Sequence, residues 1–190
     1  VLGSSYQRWR SALETSASPE RAVAHLLELA QNHSKQTLEA LSSSSGPKRL
    51  MAILGASDGL ADYLTRHPDE LSLFGRAQSL PSHFSLNADS RLDLRVAYRK
   101  ELLAIADWDL GQSVPAESVV EVTSALSRLA DAALEAGVSV ARSELISDGR
   151  ISQEKSDNTR LAIIAMGKTV ADELNYVRDV DAINVVYGPA

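Results

Sequence analysis

The chain has 190 residues, 44% hydrophobic and 23% charged, with a net charge of -6. This length can bury a real core without disulfides or structural metal, and acidity without a Lys/Arg stripe argues against nucleic acid as a partner. The absence of cysteine excludes a disulfide framework, thiolate zinc sites and cysteine nucleophiles and suits a reducing cytoplasm, the expected location, while no apolar run approaches the roughly 18 residues of a membrane span.

Val1-Leu2-Gly3-Ser4-Ser5 does not read as a secretion signal, and the missing initiator Met predicts that Val1 is not encoded by the first codon. Residues 1–146 read as helix after helix. Ser18-Pro19-Glu20 is a start signal, with Ser as cap, Pro in the first turn and Glu at the positive helix end. Val23, Leu26, Leu27 and Ala30 then mark an apolar face. The break at Ser42–Pro47 places Pro47 at the start of the next helix, whose core side is Leu50, Ile53 and Leu54. Gly55 reads as its stop and Ser57 as the cap of a further helix carrying Leu60, Tyr63 and Leu64, ended by Pro68. His25 and His33 are expected at the surface.

A polar connector is predicted over about Arg76–Asn87. Two long helices follow, Ala88–Leu110 and Ala116–Ile146. Leu92, Val96, Leu103 and Ala106 stripe the first; Leu126, Leu129, Ala133, Gly137, Val140 and Ala141 stripe the second, and both stripes are expected to be core. Ser147–Thr159 reads as a polar loop with an Asp148-Gly149 turn. Leu161–Ala165 and Val180–Tyr187 are apolar, partly β-branched runs expected to form buried strands. Two strands alone make a marginal sheet, so the chain is expected to stop inside a domain. The organisation is therefore mainly α: a multi-helix region over 1–146, then the start of a second domain over 147–190.

The chemistry concentrates between those strands, in Gly167–Asp181. On a strand, residues two apart point the same way, so Asp179 and Asp181 would aim both carboxylates at one spot. Such a pair suits Mg²⁺, which takes oxygen ligands and keeps room for substrate phosphates. Gly167 allows backbone N–H groups to approach phosphate, and Lys168 adds a point charge. The competing reading is two solvated acids where a strand begins. Asp107-Trp108-Asp109 has the same spacing at a helix end, where residues two apart do not face each other, and is expected to be solvated surface.

Two other motifs fail on context. Gly167-Lys168-Thr169 mimics the end of a phosphate-binding P-loop, but Ala162 stands where that motif needs its first Gly. Gly55-Ala56-Ser57-Asp58-Gly59 matches a nucleophile elbow, but a helical pattern precedes it where a strand is required. His67 and His83, the downstream histidines, lie in polar surroundings.

Leu161–Lys168, Glu173-Leu174-Asn175-Tyr176 and Asp179-Val180-Asp181 together resemble the signature of the bacterial glutamine-synthetase adenylyltransferase family. Leu54–Ser57 with Arg66-His67-Pro68, Leu94–Leu103 and Leu126–Glu135 are also similar to it, in the expected order. The resemblance implies a bifunctional enzyme with two nucleotidyltransferase domains of the DNA-polymerase-β type. This chain looks like the N-terminal part of the adenylyl-removing half, in which phosphate releases AMP from glutamine synthetase as ADP. It implies Asp179 and Asp181 as the first two metal ligands, Gly167 and Lys168 on the nucleotide side, Mg²⁺ as cofactor, and ATP/ADP and phosphate as small-molecule partners. Glutamine synthetase is the implied protein partner, with the PII signal protein acting through the whole enzyme. Val170 stands where the family usually has Gly, Arg178 where it has Ser, and Ala182 and Asn184 where it has larger apolar residues. The fold's third carboxylate belongs on a later strand, so this stretch alone is expected to be catalytically incomplete. The alternative is a helical docking module that binds glutamine synthetase without chemistry.

Overall fold

The computed structural model describes residues 2–167, 172–176 and 180–188. Among these, eight α-helices and one 3-10 helix precede a two-stranded antiparallel sheet, so the mainly helical expectation holds. The chain divides into two compact units: Val1–Leu80 with Leu103–Ala116, and Pro81–Leu102 with Glu117–Ala190.

The first unit contains α1 (Leu2–Glu14), α2 (Pro19–Asn32), α3 (Ser34–Ser42), α4 (Gly46–Ala56), α5 (Asp58–Arg66) and a 3-10 helix over Pro68–Gly75. Helix α4 packs against α1, α2, α3, α5 and the 3-10 helix. Its burial therefore extends around the helix: Leu50, Met51, Ile53 and Leu54 are all buried, as are Arg49 and Gly55. Leu60, Tyr63 and Leu64 of α5 are buried as expected.

The junctions are short. His33 is all that separates α2 from α3, Ser57 all that separates α4 from α5, and His67 all that separates α5 from the 3-10 helix. Ser57 serves both neighbours: its N–H donates to Ile53 O, while its hydroxyl accepts from the Leu60 N–H at 3.3 Å. The serine is thus a helix cap, consistent with the failed nucleophile pattern. Ser18 is extended at the start of α2 as predicted, but its hydroxyl makes no capping bond.

Several expectations are corrected here. The buried face of α2 is Ala22 and Leu29, whereas Val23, Leu27 and Ala30 are exposed; the stripe is rotated by about one residue. Gly55 does not stop α4. It lies within the helix where another backbone comes close: a Cβ there would sit 1.9 Å from Ser16 Oγ and 3.0 Å from Ser18 O. His25 and His33 are half-buried rather than free at the surface. His25 Nε2 lies 3.1 Å from Asp58 Oδ1, and His33 Nε2 lies 2.8 Å from Thr65 O, so both tie α2 and its end to α5.

The largest correction is Asp107, expected to be solvated. It lies near the end of α6 (Arg91–Leu110), a helix whose C-terminal part from Leu103 belongs to the first unit. The side chains of Arg49 and Asp107 are only 4% and 2% exposed. Arg49 Nε donates to Asp107 Oδ1 at 2.8 Å and Nη2 donates to Oδ2. The remaining guanidinium hydrogens reach Arg76 O at 2.6 Å and Leu73 O at 3.2 Å, and the group lies over the Phe74 ring. The pair is bidentate and its spare donors are satisfied, as a buried charge requires.

The second unit is built on α7 (Pro115–Ser147), whose 33 residues span about 50 Å. Leu126, Leu129 and Val140 of its predicted stripe are buried, and Gly137 lies where a Cβ would meet Leu94 of α6 at 3.8 Å. Leu92, predicted as core, is 66% exposed; Phe84 and Leu86, in the connector predicted to be polar, are buried. Gly149 ends α7 in the left-handed region, φ +67°, with Arg150 N–H returning to Leu145 O. The expected loop that follows contains a short helix, α8 (Gln153–Asn158), capped by the Ser152 hydroxyl on Lys155 N–H.

Strands β1 (Arg160–Ala165) and β2 (Ala182–Tyr187) pair antiparallel, from Arg160 opposite Tyr187 to Ala165 opposite Ala182. They are not buried as expected. Ile164, Ile183, Val185 and Tyr187 share one face by register and are 47–78% exposed. The other face carries Leu161, Ile163 and Val186, which with Ala133, Gly137 and Ala141 of α7 line an apolar groove of 740 Å³.

Candidate functional site

The candidate site lies at the end of the sheet where β1 leaves and β2 enters. Past the last strand pair, Met166 N–H still donates to Asp181 O at 2.8 Å, which holds the two chain segments together for one further residue. Gly167 then turns out of the ladder with φ +62°, a conformation that costs an L side chain about 1–2 kcal/mol. A Cβ on Gly167 would lie 3.4 Å from Asp181 Oδ2. Two residues fourteen apart in sequence are therefore brought together: an exposed carboxylate stands beside the turn whose backbone is free of a side chain.

Asp181 immediately precedes β2 rather than lying on it. Asp179 and Lys168, the other two predicted site residues, lie outside the described residues, as do Val170 and Arg178. The two remaining departures are placed: Ala182 pairs with Ala165, and Asn184 pairs with Ile163 and faces the groove. Among the described residues no three His, Cys, Asp or Glu side chains converge as a metal cluster. Asp181 is the one expected ligand they include; Mg²⁺ typically takes one or two protein carboxylates and completes its shell with water and phosphate oxygens, so its exposed carboxylate suits that chemistry.

Two features carried no sequence signal, one near this corner and one at the opposite end of the sheet. Asp172, in the segment between Gly167 and Asp181, has φ +55°, and Leu174 two residues on is buried. Burial, and then the negative charge of Asp172, push the Asp131 carboxyl of α7 above the usual aspartate range. Asp172 and Asp131 of α7 thus place an acid beside an acid. Arg142 of α7 donates to Ser156 O at 3.3 Å and to Thr159 O at 2.8 Å, fixing the chain where α8 gives way to β1. Both contacts join residues more than a dozen apart, which periodicity and local motifs do not report.

Residues 47–189 match the family model described as glutamate-ammonia ligase adenylyltransferase. The chain belongs to this family. Among curated proteins it is similar to the bifunctional glutamine synthetase adenylyltransferase/adenylyl-removing enzyme of Leifsonia xyli subsp. xyli, 38% identical over 93% of this chain and 20% of the relative. The proteins of the same name from Cutibacterium acnes and Mycobacterium avium are 33% and 36% identical, over 93% and 92% of this chain and 19% of each relative. The chain therefore spans about a fifth of the length of these relatives. No solved structure matches it. Among the described residues no helix is long and apolar enough to cross a membrane.

Proposed function

We propose that the chain supplies the helical region, 1–146, and the opening of the nucleotidyltransferase domain, 147–190, of an adenylyl-removing enzyme. The reaction is phosphorolysis: a phosphate oxygen attacks the AMP phosphorus on adenylylated glutamine synthetase, the tyrosine oxygen leaves, and ADP is released. The observation that carries this reading is the placement of the Asp181 carboxylate against the Gly167 turn at one end of the β1–β2 pair.

Asp181 and Asp179 would hold Mg²⁺, and Gly167 and Lys168 would lie on the nucleotide side. Bound Mg²⁺ would neutralise charge on the transferring adenylyl group. The missing side chain at Gly167 would let phosphate oxygens approach the turn closely, and Asp181 is held in place by the bond that its own carbonyl accepts from the Met166 N–H. Glutamine synthetase, nucleotide and phosphate are the proposed partners, in the cytoplasm, with PII acting on the whole enzyme.

The test is Asp181→Asn in a polypeptide of the relatives' full length. Adenylylated glutamine synthetase, phosphate and Mg²⁺ are supplied, and ADP is measured. We expect release to fall at least about a hundredfold, within the several kcal/mol that a catalytic metal contributes. Unchanged ADP release would overturn the assignment. Loss of AMP attachment with removal intact would assign Asp181 to the opposite reaction. Tight binding of glutamine synthetase by a wild-type protein that releases no ADP would favour the docking module.

A further inference from the structure

We draw no further inference here: the strongest candidate, the apolar groove between α7 and the β1–β2 sheet, carries none because nothing in the structure shows what covers it.

Discussion

Glycine in this chain has opposite meanings at positions only four apart. At Gly55 the missing side chain makes room for the Ser16–Ser18 backbone turn, and Ser16 Oγ uses that room to donate to Met51 O at 3.1 Å. At Gly59, in the first turn of α5, a Cβ would meet nothing nearer than Ser57 Oγ at 3.8 Å. Gly55→Ala should therefore destabilise by about 1–3 kcal/mol through overpacking. Gly59→Ala should stabilise by about 0.4–1 kcal/mol by restricting the unfolded chain. Urea denaturation of both variants checks the pair, and shifts of the same sign would refute it. In sequence the two glycines look alike, and Gly55 reads as a helix stop because its cause lies some forty residues upstream. The strand ends beside Gly167 and Asp181 were legible for the opposite reason: a glycine after one apolar run and an acid before the next are signals carried by the local sequence.

At the scale of elements, polar side chains join the helices of the first unit. Arg49 links α4 to α6 and to the carbonyls ending the 3-10 helix. Arg49→Met leaves Asp107 buried without its cation and should cost about 3–5 kcal/mol. The double variant Arg49→Met/Asp107→Leu should recover part of that loss. A double-mutant cycle by denaturant titration measures both, and additive losses would show that the charges are not coupled. The seam between α2 and α5 carries a weaker, pH-dependent link. The hydrogen bond from His25 lowers the Asp58 carboxyl below its usual range, and the charge of Arg21 adds to this against a desolvation that raises it. A lowered acid binds fewer protons folded than unfolded, so its contribution is present above the ordinary aspartate value of about 4 and disappears as pH falls through the folded value. His25→Ala should therefore lower the unfolding midpoint at neutral pH and converge with wild type on acidification. A difference that widens below pH 4 would contradict the sign.

Over residues 1–146 the helices were legible because their caps and breaks are local, while α8 reads as loop and orientation was less legible. Ser57, Pro47 and Pro68 announce themselves. Which side of α2 is buried does not, because Val23 and Leu27 look as apolar as Ala22 and Leu29. Asp107 defeated the expectation for surface acids because its partner, Arg49, is 58 residues away. The strands were found from composition, and their apolarity suggested burial, yet Ile183 and Val185 are 50% and 47% exposed. Val185→Lys should accordingly shift stability by no more than about 0.5 kcal/mol. It should also reduce self-association at high concentration, because an exposed apolar sheet face and open strand edges favour pairing between chains. Thermal unfolding and sedimentation measure the two effects, and a loss above about 1 kcal/mol would mean that this face is covered in solution.

The single-residue junctions at His33, Ser57 and His67 bear on how sequences of this kind can diverge. A substitution at Ser57 by Thr, Asp or Asn keeps a capping oxygen and is mild. An insertion has no slack to absorb it: the added residue must enter a flanking helix, where it turns everything beyond by about 100° and swings Tyr63 and Leu64 off the core. These joints are counted rather than spelled. Lineages should vary there among residues that keep the cap or the contact, while the gaps in their alignments fall elsewhere.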